Sequence, residues 1–181
     1  MISNLAKIAL SQVGTLEIGG NNRGKKIREY QSATQLEPDN WPWCAAFVDW
    51  CVREWLKNPD NAKWLGLKHS TPEAWRPKTA AAYGLQSWAG YHPQTATVLF
   101  GSKLQSLSGS KHTAQAGDIV VFNFSHTGIV IDDNGDTLDT VEGNTSRRDG
   151  GRDSTTGDGV WAMIRKKSLV RALVRIKPST A

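Results

Sequence analysis

Pro38-Asp39-Asn40-Trp41-Pro42-Trp43-Cys44-Ala45-Ala46-Phe47-Val48-Asp49-Trp50-Cys51 changes character at its middle. Pro38 and Pro42 lack backbone donors and push Glu37 and Trp41 towards extended conformations, so the first half cannot be a helix interior. In the second half Ala45, Val48, Val52 and Trp55 recur at helical spacing, with Phe47 and Cys51 widening the apolar face. Cys44 therefore falls where an extended segment becomes a helix. Unsatisfied N–H groups and the positive end of the helix dipole gather at that place, and both favour a thiolate. Cys51 lies two turns further on, about 10 Å along the axis, too far for a disulfide to Cys44. It reads as a buried structural cysteine.

Outward from this stretch, the N-terminal half reads as helical. A stripe of Leu5, Ile8, Ala9 and Val13 predicts a helix over 3–13, with Ser3 as cap and Gly14 as stop. Residues 17–24 form a loop rich in turn formers, and Ile27, Tyr30 and Gln31 predict a helix over 25–34. The cysteine helix ends near Leu56-Lys57. Residues 58–78, punctuated by Pro59, Pro72 and Pro77, read as irregular, and 79–89 as a short alanine-rich helix capped by Thr79. The pattern from 90 to 116 is weak, with a strand expected at 97–100. After Gly117 the character changes. Apolar, β-rich runs at 118–124, 126–131, 137–142, 160–165 and 169–176 predict strands at close spacing, hence an antiparallel sheet. Helices first and strands after make an α+β fold, with the helices packed on the sheet.

A nucleophilic cysteine needs a base and a third group to orient it. Of four histidines, His69, His92 and His112 lie in loops and read as solvated surface residues. His126 opens a strand whose neighbours Ile129, Val130 and Ile131 are core-like, so a rigid element holds its ring. The hairpin that follows supplies the third member. A two-residue Asn134-Gly135 turn would set His126 opposite Gly143. A three-residue loop over 133–135, with Gly135 left-handed in a bulge, sets it directly opposite Glu142 and is favoured here. Asn144 would then share that face. Opposed side chains are close enough for an imidazole–carboxylate hydrogen bond.

Composition narrows the function classes. A chain of 181 residues suits a single domain, 1–181. Its 39% hydrophobic and 22% charged residues are ordinary for a soluble protein, and no run approaches a membrane span, so stable membrane insertion is not expected. The first residues carry no secretory-signal pattern. Two cysteines make no disulfide framework. The net charge of +5 favours encounter with polyanions, but neither zinc-finger spacing nor RNP-like strands appear, so nucleic acid is not the expected partner. The run Arg165-Lys166-Lys167 reads as a solvated basic strand end. Asp132, Asn134 and Asp136 alternate like a calcium loop, yet Thr137 and Gly143 occupy the positions where an EF-hand needs Gly and Glu. No metal and no cofactor are expected, and activity should not depend on calcium. Among eight tryptophans, Trp41, Trp43 and Trp161 fall near the candidate catalytic residues and are expected to line the substrate site. Residues 145–158, with Arg147, Arg148 and Arg152, read either as a substrate-contacting flap or as a solvated loop.

Trp43-Cys44-Ala45-Ala46-Phe47-Val48-Asp49-Trp50-Cys51, Gly117-Asp118-Ile119-Val120-Val121-Phe122, His126-Thr127-Gly128-Ile129-Val130, Glu142-Gly143-Asn144-Thr145 and Gly159-Val160-Trp161 together resemble the CHAP family, in that family's order. These are papain-like cysteine, histidine-dependent amidohydrolases/peptidases that cut peptidoglycan. The resemblance runs from about Ala6 to Ile176 and is weakest over 57–116. It implies a papain-like fold with Cys44 as nucleophile, His126 as base, Glu142 as orienting carboxylate and Asn144 as a fourth polar member. Two departures stand out. Trp43 occupies the place where many relatives have Gln or Asn, and the Asp-rich calcium loop of some relatives is missing.

The resemblance implies a monomeric peptidoglycan amidase or endopeptidase. Without a leader it would be made in the cytoplasm and reach the wall by holin-type release, as a phage endolysin does. Delivery as a secreted antibacterial effector, with an immunity protein as partner, is the alternative. A papain-like acyl transferase or peptidase on a non-wall substrate, and a catalytically silent wall-binding module, are the other readings. The complete Cys/His/Glu/Asn set argues against the last.

Overall fold

A computed structural model describes residues 3–67, 71–101, 114–146 and 157–179. The expected α+β architecture is present: a helical N-terminal half packs on a six-stranded, wholly antiparallel sheet. The helices are α1 (Ser3–Leu10), α2 (Lys25–Gln31), α3 (Cys44–Leu56), α4 (Pro59–Leu65), α5 (Pro72–Trp75) and α6 (Ala82–Tyr91). The strands are β1 (Ala96–Phe100), β2 (Ile119–Phe122), β3 (Thr127–Asp133), β4 (Thr137–Thr145), β5 (Gly159–Lys166) and β6 (Val170–Ile176), in the order β1-β6-β2-β3-β4-β5. No helix among the described residues is long and apolar enough to cross a membrane.

Alternation along the strands divides the apolar residues into two clusters. Ile119, Val121, Ile129, Val141, Val174 and Ile176 meet the helices, with α3 at the centre. Val120, Phe122, Val130, Leu138, Val170 and Leu173 form a second cluster from the alternate strand positions. Helix α3 is buried nearly all round, from Cys44 to Val52, as befits a helix enclosed on more than one side.

Three local expectations are corrected. Residues 58–78 are not irregular, because they carry α4 and α5. Each opens with a side-chain cap followed by proline: Asn58 Oδ1 accepts from Asp60 N at 3.0 Å, and Thr71 Oγ1 accepts from Ala74 N at 3.1 Å. Proline suits the first helical position, where its missing N–H would be unpaired anyway, so Pro59 and Pro72 start helices rather than break them. Thr79 does not cap α6. That helix begins at Ala82, and Thr79 Oγ1 instead accepts from Ala81 N at 3.1 Å. Helix α1 ends at Leu10, before the expected limit, with turns over 11–14.

Candidate active site

Cys44 is the first residue of α3 and is 5% exposed. The strap leading to it is held from several directions. Gln31, buried at the end of α2, donates Nε2 to Asp39 O at 2.5 Å and to Trp41 O at 3.0 Å. Arg28 donates to Pro38 O at 3.1 Å, and Arg23 Nε to Asn40 Oδ1 at 3.0 Å. Trp43 stacks on Tyr30 with ring centroids 5.5 Å apart and donates Nε1 to Glu17 Oε1 at 2.8 Å. Each bond fixes a chain that has no ladder of its own.

His126 stands just before β3, after Ser125, whose φ of 59° is left-handed. The ring is fully buried and stacks with Phe122 (6.1 Å) and Phe124 (5.8 Å). Nε2 hydrogen-bonds Glu142 Oε2 at 2.9 Å. Nδ1 is buried with no hydrogen-bond partner among the described residues, and the thiol of Cys44 is near enough to act on the ring's charge. Burial pushes the imidazole pKa down. The thiol of Cys44 and then the carboxylate of Glu142, with their negative charge, outweigh burial and lift it to about 9. The ring is thus favoured as imidazolium, the partner a cysteine thiolate requires.

Glu142 is fully buried. Thr140 Oγ1 donates to its Oε1 at 2.6 Å, Arg165 Nε donates to Oε1 at 2.8 Å, and Arg165 Nη2 donates to Oε2. Burial pushes its pKa up, but Arg165 and then His126 bring it down to about 2. The carboxylate is therefore ionised throughout the neutral range.

The expected His126–Glu142 bond is present, but the expected register is not. Strands β3 and β4 pair Ile129 with Val141 and Val130 with Thr140, and the next step sets Gly128, not His126, across from Glu142. The turn lies one residue later than expected: Asn134 N donates to Thr137 O at 2.9 Å, with Gly135 left-handed at φ 86°. Asp133 causes the shift. Its Oδ1 takes Gly135 N at 2.9 Å, its Oδ2 takes Ala114 N at 2.7 Å, and Lys167 pairs with it at 2.5 Å, so it is drawn into the strand end. A register shift between Val130 and Asp132 absorbs the difference.

Asn144 does not simply share Glu142's face. The β4–β5 register shifts between Glu142 and Thr145, and Asn144 adopts φ 53°, so the alternation is broken there. Asn144 is fully buried in this bulge, and Gly157 packs directly on its carbonyl group. Gly143 lets α3 approach: a Cβ there would lie 2.5 Å from Phe47 Cβ and 2.8 Å from Trp43. This contact brings the helix bearing Cys44 onto the strand bearing Glu142.

The aromatic expectations divide. Trp43 is fully buried and cannot line a substrate site, because Tyr30 and Glu17 enclose it. Trp41 and Trp161 are half-buried. Trp161 lies across from Glu142 on β5 and donates to Asp158 Oδ1 at 2.7 Å, so it remains at the rim. Arg147, Arg148 and Arg152 lie outside the described residues, as do His69 and His112. His92 is not a solvated loop residue. It ends α6, half-buried, with Nδ1 on Trp88 O at 2.7 Å and its ring 5.1 Å from that of Trp88. Cys51 is fully buried in α3, and burial pushes its thiol pKa up, as a structural cysteine requires. Both cysteines are free thiols.

Arg165, expected at a solvated strand end, is 1% exposed. Strand parity contained the signal. Glu142 pairs with Trp161, Thr140 with Met163 and Leu138 with Arg165, so these side chains share one face. Tyr83 carries no distinguishing sequence signal. Its hydroxyl donates to Asn123 O at 2.9 Å and accepts Ser125 N at 3.2 Å, clamping the turn before His126. No group of three or more His, Cys, Asp and Glu among the described residues is arranged to hold a metal ion.

No family model and no curated protein sequence matches the chain. Among solved structures it is similar to Ly7917, at 18% identity and a TM-score of 0.48. The match covers 98% of this chain and 62% of that one, so this chain spans under two thirds of Ly7917's length.

Proposed function

We propose that the protein is a cysteine-dependent peptidoglycan hydrolase that cleaves an amide bond through an acyl-enzyme, in the manner of a phage lysis enzyme. One observation carries the chemistry. A cysteine at a helix N-terminus neighbours a buried histidine whose other ring nitrogen is held by an ionised glutamate. The wall as substrate rests on the ordered run of CHAP-like motifs and on the basic charge of +5 facing an anionic polymer.

The steps follow from the residues. The proton of Cys44 Sγ passes to His126, and the thiolate attacks the amide carbonyl carbon. The first backbone amides of α3 point at the developing oxyanion. His126 returns the proton to the leaving amine as the C–N bond breaks and a thioester remains. Water then attacks the thioester, giving one proton to His126 as it does so. The carboxylic acid leaves, and Sγ regains its proton. Glu142 keeps the ring oriented and favours its charged form.

The test is mass spectrometry of fragments released from purified peptidoglycan by the wild type and by Cys44→Ala. Free stem peptides beginning with alanine identify an amidase, and new termini within the stem or bridge identify an endopeptidase. Absence of any Cys44-dependent fragment overturns the wall reading and leaves another amide as the substrate.

A further inference from the structure

A buried carboxylate is an awkward third member for a cysteine–histidine pair. A neutral amide could orient the imidazole without introducing charge. Glu142 brings a full negative charge into a site with no solvent contact, where an uncompensated ion is strongly disfavoured.

We propose that Arg165 is a positioning residue of this site, the counterion that lets a glutamate hold His126 while Cys44 and His126 exchange a proton. The inference rests on the cysteine–histidine reading above. The charged groups facing Glu142 are Arg165 and His126, and the polar groups facing His126 are Cys44 and Glu142. Charge counting over these four is simple. Before proton transfer, Glu142 is negative, Arg165 positive, and Cys44 and His126 neutral, so the sum is zero. After transfer the signs alternate along Cys44, His126, Glu142 and Arg165, and the sum is still zero. Without Arg165 both states carry a buried net charge of minus one. Glu142 then takes up a proton at working pH and no longer stabilises the imidazolium.

The geometry suits this role. The guanidinium meets the carboxylate with Nε on one oxygen and Nη2 on the other, a fork that fixes the carboxylate plane. Its carbon lies 5.5 Å from the Phe122 ring centre and 5.6 Å from that of Phe124. These are the two rings that stack with His126. One aromatic pair therefore seats both the base and the counterion. Thr145 Oγ1, at 3.4 Å from Nη2, joins Arg165 to the β4 bulge. A lysine would supply the charge but not the fork.

The experiment measures Cys44 alkylation by iodoacetamide against pH, which needs no wall substrate, alongside wall hydrolysis. The variants are Arg165→Met, Arg165→Lys, Glu142→Gln and the double Glu142→Gln/Arg165→Met. In Arg165→Met the acid limb should move up by at least about one pH unit, so that at a pH on its slope the rate falls roughly tenfold. The double variant should place the limb where Arg165→Met places it, because both leave a neutral group at 142 and Arg165 acts only through the carboxylate's charge. Arg165→Lys should keep the limb but lower hydrolysis. If Arg165→Met does not fold while the double variant does, the counterion role is supported. A folded Arg165→Met with a wild-type limb overturns it, as does a double variant whose limb lies well beyond that of Arg165→Met. Failure of both to fold assigns Arg165 to packing and also overturns it. Loss of wall hydrolysis in the wild type would refute the proposed function alone, leaving the alkylation result standing.

Discussion

Gly128 stands across the β3–β4 ladder from Glu142, and a Cβ on it would lie 2.6 Å from Glu142 Cγ. The missing side chain is what lets the glutamate lie diagonally across its neighbour and reach His126. Gly128→Ala should therefore displace the carboxylate. The expected cost in stability is about 1–3 kcal/mol, as for other overpacked core sites. Turnover should fall further than the loss of folded protein accounts for. The alkaline limb of the pH–rate profile should also move to lower pH, because His126 loses part of the support that lifts its pKa to about 9. A thermal melt and a pH series on one preparation check both.

The two cysteines should behave oppositely. Cys44→Ala should abolish hydrolysis, a drop on the order of 10⁴-fold, with the fold retained. Cys51→Ala should leave substantial activity and cost about 1 kcal/mol, because it removes only a buried sulfur from the interior of α3. Clearing of a peptidoglycan suspension by the Cys44 variant would contradict the mechanism.

Stability should depend on pH on both sides of neutrality. The folded pKa of His126 is raised from its ordinary value near 6.5 to about 9. Its contribution is fully present below about 6.5 and is lost as pH rises through about 9. Glu142 is depressed from 4.5 to about 2, so its contribution is present above about 4.5 and is lost as pH falls through about 2. Urea midpoints measured from pH 3 to pH 10 should fall at both ends. Glu142→Gln should flatten the acid side and weaken the alkaline decline.

Tyr83→Phe removes the hydroxyl that accepts Ser125 N and donates to Asn123 O, next to His126. The stability loss should be about 1 kcal/mol, the worth of a partly exposed hydrogen bond. The kinetic effect should fall on kcat rather than KM, since the turn positions the base and not the substrate. Equal kcat in the two proteins would show that the β3 ladder alone holds His126.

Much of this arrangement was legible in the sequence. Prolines before Cys44 and apolar spacing after it placed that cysteine at a helix start, and the β-rich runs set His126 at the opening of one strand, a residue before β3 begins, and Glu142 on the adjoining one. The register was not legible, because Asp133 caps the turn with its side chain and the ladder absorbs the slip in a bulge. Neither event alters the apolar alternation. Arg165 was hidden because a charged residue in a basic run reads as solvated, and only the pairing of β5 with β4 reveals whose charge it meets. Trp43 misled for the opposite reason: proximity in sequence to Cys44 suggested the cleft, whereas its indole is spent on Tyr30 and Glu17.

The strand order bears on how the molecule assembles. From β2 to β5 each strand pairs with the next, so this meander is built from contacts close in sequence. His126, Glu142 and Arg165 all belong to it. Strand β1, although earlier in the chain, has only β6 as a neighbour among the described strands, so it joins the sheet through β6. Such distant pairings raise contact order and slow folding. His126, Glu142 and Arg165 can thus come together in an early, local folding unit. Cys44 meets them only after the helical layer docks, which makes its alkylation rate a clock for that docking in a refolding experiment.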